Sequence, residues 1–386
     1  MAASYDIGFL GGGQLARMSI QAAQRMGLRC LSLDPGADTP ASQIADSDRG
    51  SLNDPEAIAR ILGRCRTATL ENEFIPAEAV RQALAATPSP PVLVPSVDTL
   101  ARVQDKYRQR QAYLAAGVPS PRAVPLDDGP DEAIAKIGFP MVLKARFGGY
   151  DGKGTRYVRN AAELDQHRDL WSGGGWMAED LVPFRRELAV MVFVTQAGEV
   201  GAFPTMETVQ TDHVCDLVFP SGVDASEVAV AAARAMGGPG LFGVELFELE
   251  SGETLVNEIA PRPHNTGHYT LDWGAVSQFE QHVRLVLGLP VELRPSGADT
   301  AMANLLGQPN AGDYRAGIAA ALEDPTVHVH WYGKAEPRPG RKLGHINATG
   351  PHAARRVSEA RQRFYRAWTG SGTCASPTES RAFPRG

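Results

Sequence analysis

The stretch FPMVLKARFGGYDGKGTRYV, residues 139–158, contains two apolar runs joined by a glycine-rich loop. Within it, residues 146–157 hold four glycines, two arginines and one lysine. Glycines let the backbone approach a ligand closely, and Lys and Arg supply charge-assisted donors. A buried strand that carries Lys144 into such a loop, with a second strand after it, predicts a clamp for the phosphates of a nucleotide. The alternative is a glycine-rich hairpin whose cations are solvated.

Composition places the chain among ordinary globular proteins. Its 386 residues are enough for about two or three domains, and 43% of them are hydrophobic while 21% are charged. The formal net charge of −6, from 38 basic and 44 acidic residues, provides no general attraction to nucleic acid or to an anionic membrane. We therefore expect neither of these partners, and we expect local clusters of positive charge to be informative.

The cysteines and the first residues indicate a compartment. The four cysteines, at positions 30, 65, 215 and 374, form no pattern of zinc ligands. The start MAASYDIGFLGGG has neither a basic leader nor a long apolar segment, and no apolar run approaches the ~20 residues of a membrane span. These features predict a reduced, cytoplasmic protein. Residues 371–386, rich in Ser, Thr, Gly and Pro, are predicted to form a loose tail.

Strands alternate with helices near the start of the chain. Residues 5–10 form a short apolar strand, a helix follows, and a second strand closes on Asp34. The stretch RTATLENEF then predicts a third strand that reaches Glu71 and Glu73, again followed by a helix. This alternation predicts a doubly wound α/β domain, with a parallel sheet covered on both faces, at residues 1–100.

The first turn of this domain has a glycine pattern with two interpretations. Gly11, Gly13 and Ala16 fit G-x-G-x-x-A after a strand, and Asp34 follows some distance on, as in dinucleotide-binding domains. A glycine turn facing a helix N-terminus also suits any phosphate or carboxylate. No stretch further along resembles a hydride-transfer site, so we favour a small anionic ligand over nicotinamide.

The middle of the chain adds candidate nucleotide contacts. Lys106 and Arg110 share one face of a predicted helix, where the alternative is that both are solvated. In WMAEDLVPFRRELAVMVFV, two strands flank a short connection, and the stretch Glu179 to Val182 could offer its backbone to an adenine edge. Glu187 could accept from a ribose hydroxyl. The alternative for either Glu is an ordinary surface carboxylate.

Two carboxylates follow in a predicted hairpin. Glu245 and Glu258 end the buried runs of two apolar strands joined by ESGET. An antiparallel hairpin brings them to one face, where unpaired charge is costly. Magnesium, held by a couple of carboxylates and bridging phosphates, fits this pair. The alternative, pairing with a local arginine such as Arg262, explains one carboxylate more easily than two.

The last basic cluster lies between two predicted strands in HVHWYGKAEPRPGRKLGHINAT. Lys334, Arg338, Arg341 and Lys342 are held near one another by a turn stiffened with prolines. An acidic protein that gathers cations in this way is predicted to bind a phosphate there.

Five segments together resemble one family. GGGQLARM, TLENEF, LKARFGGYDGKG, VNEIAPRPHNTGH and RPGRKLGHI, in this order and spacing, are similar to the N5-carboxyaminoimidazole ribonucleotide synthetases, which are ATP-grasp enzymes of purine biosynthesis. The resemblance implies an N-terminal doubly wound (pre-ATP-grasp) domain at residues 1–100. It also implies a central α+β lid at 101–183 and a C-terminal α+β domain at 184–370.

The resemblance also assigns residues to ligands. It implies that ATP is bound by Lys106, Lys144, the loop glycines Gly148, Gly149, Gly152 and Gly154, Glu179, Asp180, Leu181, Val182, Glu187, Gln210 and Asn257. Mg²⁺, or Mn²⁺ in its place, would be bound by Glu245 and Glu258. The ribonucleotide would be bound by Gln14, Leu15, Glu71, Asn265, Lys334, Arg341 and Lys342. The reacting carboxyl group would be surrounded by Tyr150, Asp151, Lys153, Arg262 and His264.

The implied reaction is ATP-dependent carboxylation of 5-aminoimidazole ribonucleotide by bicarbonate, through carboxyphosphate, in a homodimer. His264 could move a proton near neutral pH, or it could only orient Asn265 or a carboxylate. The alternatives are a sibling ligase, such as the formate-using glycinamide ribonucleotide enzyme, and a nucleotide sensor without catalysis. Keeping both Glu245 and Glu258 argues against a sensor.

The sequence departs from the family at three positions. Lys106 and Lys153 stand where members usually or often have Arg, which keeps the charge but loses the planar fork for bidentate contacts. Gln210 stands where some members use a His for nucleotide contact.

Overall fold

The computed structural model describes residues 4–149, 154–309 and 311–370, and these residues form three sheets. Among the described helices, none is both long enough and apolar enough to cross a lipid bilayer.

The N-terminal part is a parallel sheet with helices on both faces. Its strands are β1 (Tyr5–Leu10), β2 (Cys30–Asp34), β3 (Asp46–Arg49), β4 (Cys65–Leu70) and β5 (Val92–Val94). Its helices are α1 (Gln14–Arg25), α2 (Pro55–Leu62), α3 (Ala77–Ala86) and α4 (Val97–Gln104). The strand order is β3-β2-β1-β4-β5, so the winding reverses between β1 and β4. The predicted doubly wound sheet is confirmed, and its switch point lies where β1 and β4 end.

The third predicted strand ends earlier than expected. β4 stops at Leu70, and the Asn72 side chain accepts a hydrogen bond from the Phe74 N–H at 3.0 Å, which turns the backbone. Glu71 and Glu73 therefore lie in a loop at the carboxyl end of the sheet rather than in the strand.

The middle part contains a small antiparallel sheet of order β6-β9-β7-β8. Its elements are α5 (Lys106–Ala116), β6 (Ala123–Pro125), α6 (Asp131–Lys136), β7 (Met141–Ala145), β8 (Thr155–Val158), α7 (Ala161–Asp165), α8 (Arg168–Ser172) and β9 (Trp176–Asp180). The two strands predicted around the glycine loop are confirmed as β7 and β8, which pair antiparallel. Helix α5 is separated from α4 by Asp105, whose carboxylate accepts from the Tyr107 N–H at 2.9 Å and so begins a new helix.

The C-terminal part is built on a long antiparallel sheet. Its strands are β10 (Phe184–Val194), β11 (Val200–Ala202), β12 (Met206–Thr211), β13 (Val214–Pro220), β14 (Gly240–Leu249), β15 (Thr254–Ala260), β16 (Thr300–Leu306), β17 (Val327–Trp331) and β18 (Lys342–Thr349). Its helices are α9 (Ser226–Met236), a 3₁₀ turn (Asn265–Leu271), α10 (Gln278–Leu287), α11 (Tyr314–Ala321) and α12 (Ala353–Thr369). The order is β15-β14-β10-β12-β13-β16-β18-β17, with β11 on β10.

The packing ties the three parts together. Tyr113 of α5 and Val118 are buried in the same core as α9 and strands β10 and β14, so α5 packs with the C-terminal sheet although it precedes the small sheet. Val283 and Val286 of α10 are buried against the N-terminal sheet. The predicted fold class is confirmed, and the exact domain boundaries stay a prediction.

Candidate active site

The two predicted metal ligands face each other across a hairpin. Glu245 of β14 and Glu258 of β15 are direct cross-strand partners, as the sequence pattern predicts. Lys106 Nζ lies 2.5 Å from Glu258 Oε1. Arg262 instead binds Glu73, with its NH2 donating to Oε1 at 2.7 Å and its Nε to the other oxygen. Arg262 therefore makes its ion pair with Glu73 rather than with Glu245 or Glu258.

The pKa values of Glu245 and Glu258 are shifted in opposite directions. Burial, together with the nearby carboxylates of Glu258 and Glu187, raises the pKa of Glu245 to about 7. Burial alone would also raise the pKa of Glu258, but Lys106, Lys144 and Arg110 hold it below its ordinary value. Negative charge beside Glu245 is thus incompletely balanced by the cations of the chain.

This charge and ligand set fits Mg²⁺. Two carboxylates on opposed strands supply oxygen ligands, and Mg²⁺ is commonly held by one or two carboxylates together with phosphates and water. Within the described ranges, no group of three or more His, Cys, Asp or Glu side chains is suited to a metal ion. Phosphate oxygens would therefore have to complete the shell.

The raised pKa predicts that Glu245 lowers the stability of the folded protein at high pH. A carboxyl group whose folded pKa is about 7 costs folding free energy above its unfolded pKa; the cost grows through that interval and is complete above pH 7. In metal-free buffer, Glu245→Gln should therefore raise the melting temperature by a few degrees at pH 8 and leave it unchanged near pH 4.5. Thermal melts at both pH values test this. A variant no more stable at pH 8 would contradict the raised pKa.

Glu179 organises the cations on the nucleotide side. Its carboxylate is buried, with Arg110 Nε 2.7 Å from Oε1 and Lys144 Nζ 2.8 Å from Oε2. Burial alone would raise the pKa of Glu179, but these two cations lower it to about 2. Lys144 also donates to Asn257 Oδ1 at 3.2 Å. Arg110 is therefore not a solvated charge, and Glu179 is not a surface carboxylate.

The remaining predicted nucleotide contacts lie around this cluster. Burial raises the pKa of Glu187, which is hydrogen-bonded to Gln210 and faces Lys144. Asp180 is held by Arg122, whose NH2 donates to Oδ1 at 2.7 Å. Residues 181–182 form the connection between β9 and β10, so they lie at the join between the small and long sheets.

A cavity of about 310 Å³ opens beside Glu258. Its lining includes Glu73 of the N-terminal part, Lys106 of α5, and Gly148 and Gly149 of the glycine loop. Glycine is required at position 154, because φ is +86° and an added Cβ would lie 2.9 Å from the Ala145 Cβ. The predicted contacts Tyr150, Asp151, Gly152 and Lys153 lie outside the described residues and stay predictions.

The N-terminal glycine turn is filled by the protein's own carboxylates. The Gly12 N–H donates to Asp34 Oδ2 at 2.8 Å, and the Leu15 N–H donates to Glu71 Oε1 at 3.3 Å. A Cβ at Gly13 would lie only 2.3 Å from Glu71 Oε1. Two backbone donors of this turn are therefore already bound to carboxylates of the chain itself.

Glu71 lies in the crevice at the switch point of the sheet. Burial raises its pKa, which Asn72, Arg262 and Lys334 partly oppose. Gln14 begins α1 beside it, whereas the Leu15 side chain is buried against Phe279 and Tyr332. The Leu15 side chain is therefore closed to a ligand, and its N–H is already bound to Glu71, so binding of the ribonucleotide by Leu15 stays a prediction.

The cations of the basic turn differ in their exposure to solvent. Lys334 is half-buried and donates to the Lys342 carbonyl at 2.8 Å, whereas Arg341 is exposed and donates to the Glu336 carbonyl at 3.0 Å. The Gln43 side chain donates to the Gly333 carbonyl at 2.7 Å, which joins this turn to the N-terminal part. Lys334 also lowers the pKa of Glu71 electrostatically, so it lies near the crevice that holds Glu71.

His264 and Asn265 lie between the two regions. His264 Nε2 is 3.8 Å from Glu245 Oε1, and its Nδ1 is 2.9 Å from Thr266 Oγ1. Burial, with Arg262 and Lys342 nearby, holds the pKa of His264 well below its usual range, so the imidazole is neutral at pH 7. Asn265 and Asn304 exchange hydrogen bonds at 3.0 and 2.6 Å.

Several site residues were not predicted from the sequence. Glu73 was noted only as part of a strand, although a second carboxylate beside Glu71 was a usable signal. Gln278 holds the backbone of His264 by accepting from its N–H at 3.0 Å and donating to its carbonyl at 2.8 Å. Nothing in the sequence pattern distinguishes it from any other helical Gln.

Comparison with known families gives three consecutive matches. Residues 4–104 match the ribonucleotide synthetase preATP-grasp domain, and residues 111–279 match the ATP-grasp domain. Residues 300–359 match the phosphoribosylaminoimidazole carboxylase C-terminal domain.

Comparison with individual proteins agrees with these matches. N5-carboxyaminoimidazole ribonucleotide synthase of Synechococcus elongatus is 37% identical over 374 residues, covering 92% of each chain. Phosphoribosylaminoimidazole carboxylase of Schizosaccharomyces pombe is 40% identical over 366 residues, covering 90% of this chain but 65% of that longer protein. The chain thus spans less than two thirds of that relative.

A solved structure shows the same fold with ligands. It is the Aspergillus clavatus N5-carboxyaminoimidazole synthase in complex with ADP and 5-aminoimidazole ribonucleotide. It is 30% identical, with a TM-score of 0.84, over 95% of this chain and 100% of that one. These matches, which agree with the opposed carboxylates and the cations on the nucleotide side, show that the chain belongs to the N5-carboxyaminoimidazole ribonucleotide synthase family of ATP-grasp enzymes.

Proposed function

We propose that the protein is an ATP-dependent ligase that carboxylates 5-aminoimidazole ribonucleotide with bicarbonate, giving N5-carboxyaminoimidazole ribonucleotide for purine biosynthesis. The observation that carries the proposal is the position of Glu245 and Glu258. They face each other across the hairpin, and Glu258 lines a cavity together with Lys106 and with Glu73 of the N-terminal part. A phosphoryl-transfer site and a second-substrate site thus share one crevice.

The nucleotide side of the crevice provides positioning and charge. Mg²⁺, or Mn²⁺ in its place, would neutralise phosphate oxygens when bound to Glu245 and Glu258. Lys144, oriented by Glu179 and Asn257, is placed to donate to a phosphate, and Lys106 adds positive charge beside Glu258. Phosphoryl transfer depends mainly on such positioning and electrostatic stabilisation.

The proposed chemistry has two steps. A bicarbonate oxygen attacks the γ-phosphorus of ATP, the bond to the β-phosphate oxygen breaks, and ADP and carboxyphosphate form. Carboxyphosphate then separates into carbon dioxide and phosphate, and the 5-amine of the ribonucleotide adds to carbon dioxide and loses a proton. The phosphate that is released can accept that proton, because the low pKa of His264 disfavours a protonated imidazole, and Arg262 supplies a cation for the carboxyl group.

An assay of ADP formation tests the function. ADP release should require Mg²⁺ and bicarbonate and should be strongly stimulated by 5-aminoimidazole ribonucleotide. Glycinamide ribonucleotide with formate serves as the matched alternative pair. Better turnover with that pair would favour the sibling ligase, and ATP binding without ADP release under any condition would favour a nucleotide sensor.

The proposal also covers the compartment, the oligomeric state and the partners of the enzyme. We propose a cytoplasmic homodimer that acts on small molecules and has no nucleic-acid or membrane partner. The net charge of −6 supports the absence of a polyanionic partner.

A further inference from the structure

An ion pair joins the N-terminal part to the hairpin that carries Glu258. Arg262 follows β15, and its Nε and NH2 both donate to the carboxylate of Glu73, the latter at 2.7 Å. Both side chains are only 15% exposed. Because a guanidinium bound through two donors to one carboxylate is fixed in its plane, Glu73 determines which way Arg262 points.

Glu73 is itself held by its neighbours. Gln104, the last residue of α4, donates to the Glu73 carbonyl at 2.8 Å and to the Ile75 carbonyl at 2.5 Å. The Asn72 side chain fixes the same loop by accepting from the Phe74 N–H. The Glu73 carboxylate is therefore presented from a loop that is tied at several points.

The Glu73–Arg262 ion pair lies between the proposed ribonucleotide site and the proposed ATP site. Glu73 follows Glu71, which lies in the ribonucleotide crevice, by two residues, and Arg262 precedes His264 by two residues. The cavity beside Glu258 is lined by Glu73 as well. The carboxylates of Glu71 and Glu258 also act on Arg262, so a guanidinium released from Glu73 would have other anions to turn towards.

We propose that Glu73 is a positioning residue that, by orienting Arg262, couples ATP consumption to carboxylation of the ribonucleotide. The inference rests on the proposed function. Arg262 held in place keeps the carboxyl group of carboxyphosphate facing the amine. When Arg262 is misoriented, carboxyphosphate still forms and separates into carbon dioxide and phosphate, but the carbon dioxide escapes before the amine captures it. ADP then accumulates without product.

The ratio of ADP to carboxylated product measures this coupling. Glu73→Gln removes the charge while keeping the size of the side chain. Product formation should fall about tenfold or more, as expected for the loss of a charged hydrogen bond, while ADP formation falls much less. The ratio should therefore rise from parity to several ADP per product. Glu73→Asp, which keeps the charge, should recover part of the coupling.

Glu78→Gln is the matched control, since Glu78 lies exposed on α3 and pairs with Arg81 on the surface. Its ratio should stay at parity. Equal losses of ADP and product in Glu73→Gln would overturn the coupling role and indicate a structural one. If Glu73→Gln does not fold, the ratio of Glu73→Asp decides. Wild-type protein that makes no carboxylated product would instead refute the proposed function.

Discussion

Replacing Glu258 with Gln is expected to lower turnover by about a hundredfold to a thousandfold, comparable with the loss of a preorganised charge at a transition state. The change is nearly isosteric, removes one carboxylate of the opposed pair and replaces the anion that now lies 2.5 Å from Lys106 Nζ with a neutral amide. Both effects should weaken the site: the proposed metal ligand loses its charge, and Lys106, which partly neutralised it, loses its anionic partner.

Thermal melts and kinetics together test this expectation. ATP with Mg²⁺ should raise the melting temperature of the wild type, and this shift should shrink in Glu258→Gln while the unliganded protein still unfolds cooperatively. Glu250→Gln is the control, because Glu250 is exposed just beyond β14 on the same hairpin. An undiminished shift together with full activity in Glu258→Gln would remove the metal assignment.

Loss of the basic turn should affect the ribonucleotide rather than ATP. In the proposed arrangement, ATP is bound by Lys144 and the Glu245–Glu258 pair, and the 5′-phosphate of the ribonucleotide is bound by Lys334, which acts electrostatically on Glu71, and by Arg341. Charged hydrogen bonds contribute about 1.5 to 3 kcal/mol each, so either cation should account for about one to two powers of ten in ribonucleotide KM.

Steady-state kinetics with each substrate varied in turn distinguish the two ligands. Lys334→Met and Arg341→Ala should raise the KM for the ribonucleotide and leave that for ATP nearly unchanged. Arg315→Ala is the control in the same part of the chain, since Arg315 is exposed on α11 and paired with Asp313. A rise in the ATP KM as large as that for the ribonucleotide would assign the turn to the wrong substrate.

Features of the fold that depend on residues adjacent in the sequence were predicted from the sequence. Apolar runs and turn residues identify β1, β2 and the hairpin that opposes Glu245 and Glu258, because alternation and turn chemistry are local properties. The edge strand β3, with the sequence DSDR, was missed because it pairs with β2 through its backbone and has no apolar pattern.

Partners that lie far apart in the sequence were not predictable in this way. The sequence pattern allows Arg110 to be a nucleotide contact or a solvated charge, yet the side chain is buried against Glu179. Arg262 was expected near the reacting carboxyl group, but its partner Glu73 belongs to another domain. Charge patterns indicate that a cation needs a partner; only the packing of distant strands decides which carboxylate provides it.

The order of the long sheet has a consequence for synthesis of the chain. β13 pairs with β16, Leu217 opposite Ala303 and Val218 opposite Met302, although α9, β14, β15 and α10 come between them in the sequence. While the ribosome is still adding those elements, the free edge of β13 has no strand to bind. Unpaired edges can recruit other chains, so we expect this stage of translation to expose a site for aggregation.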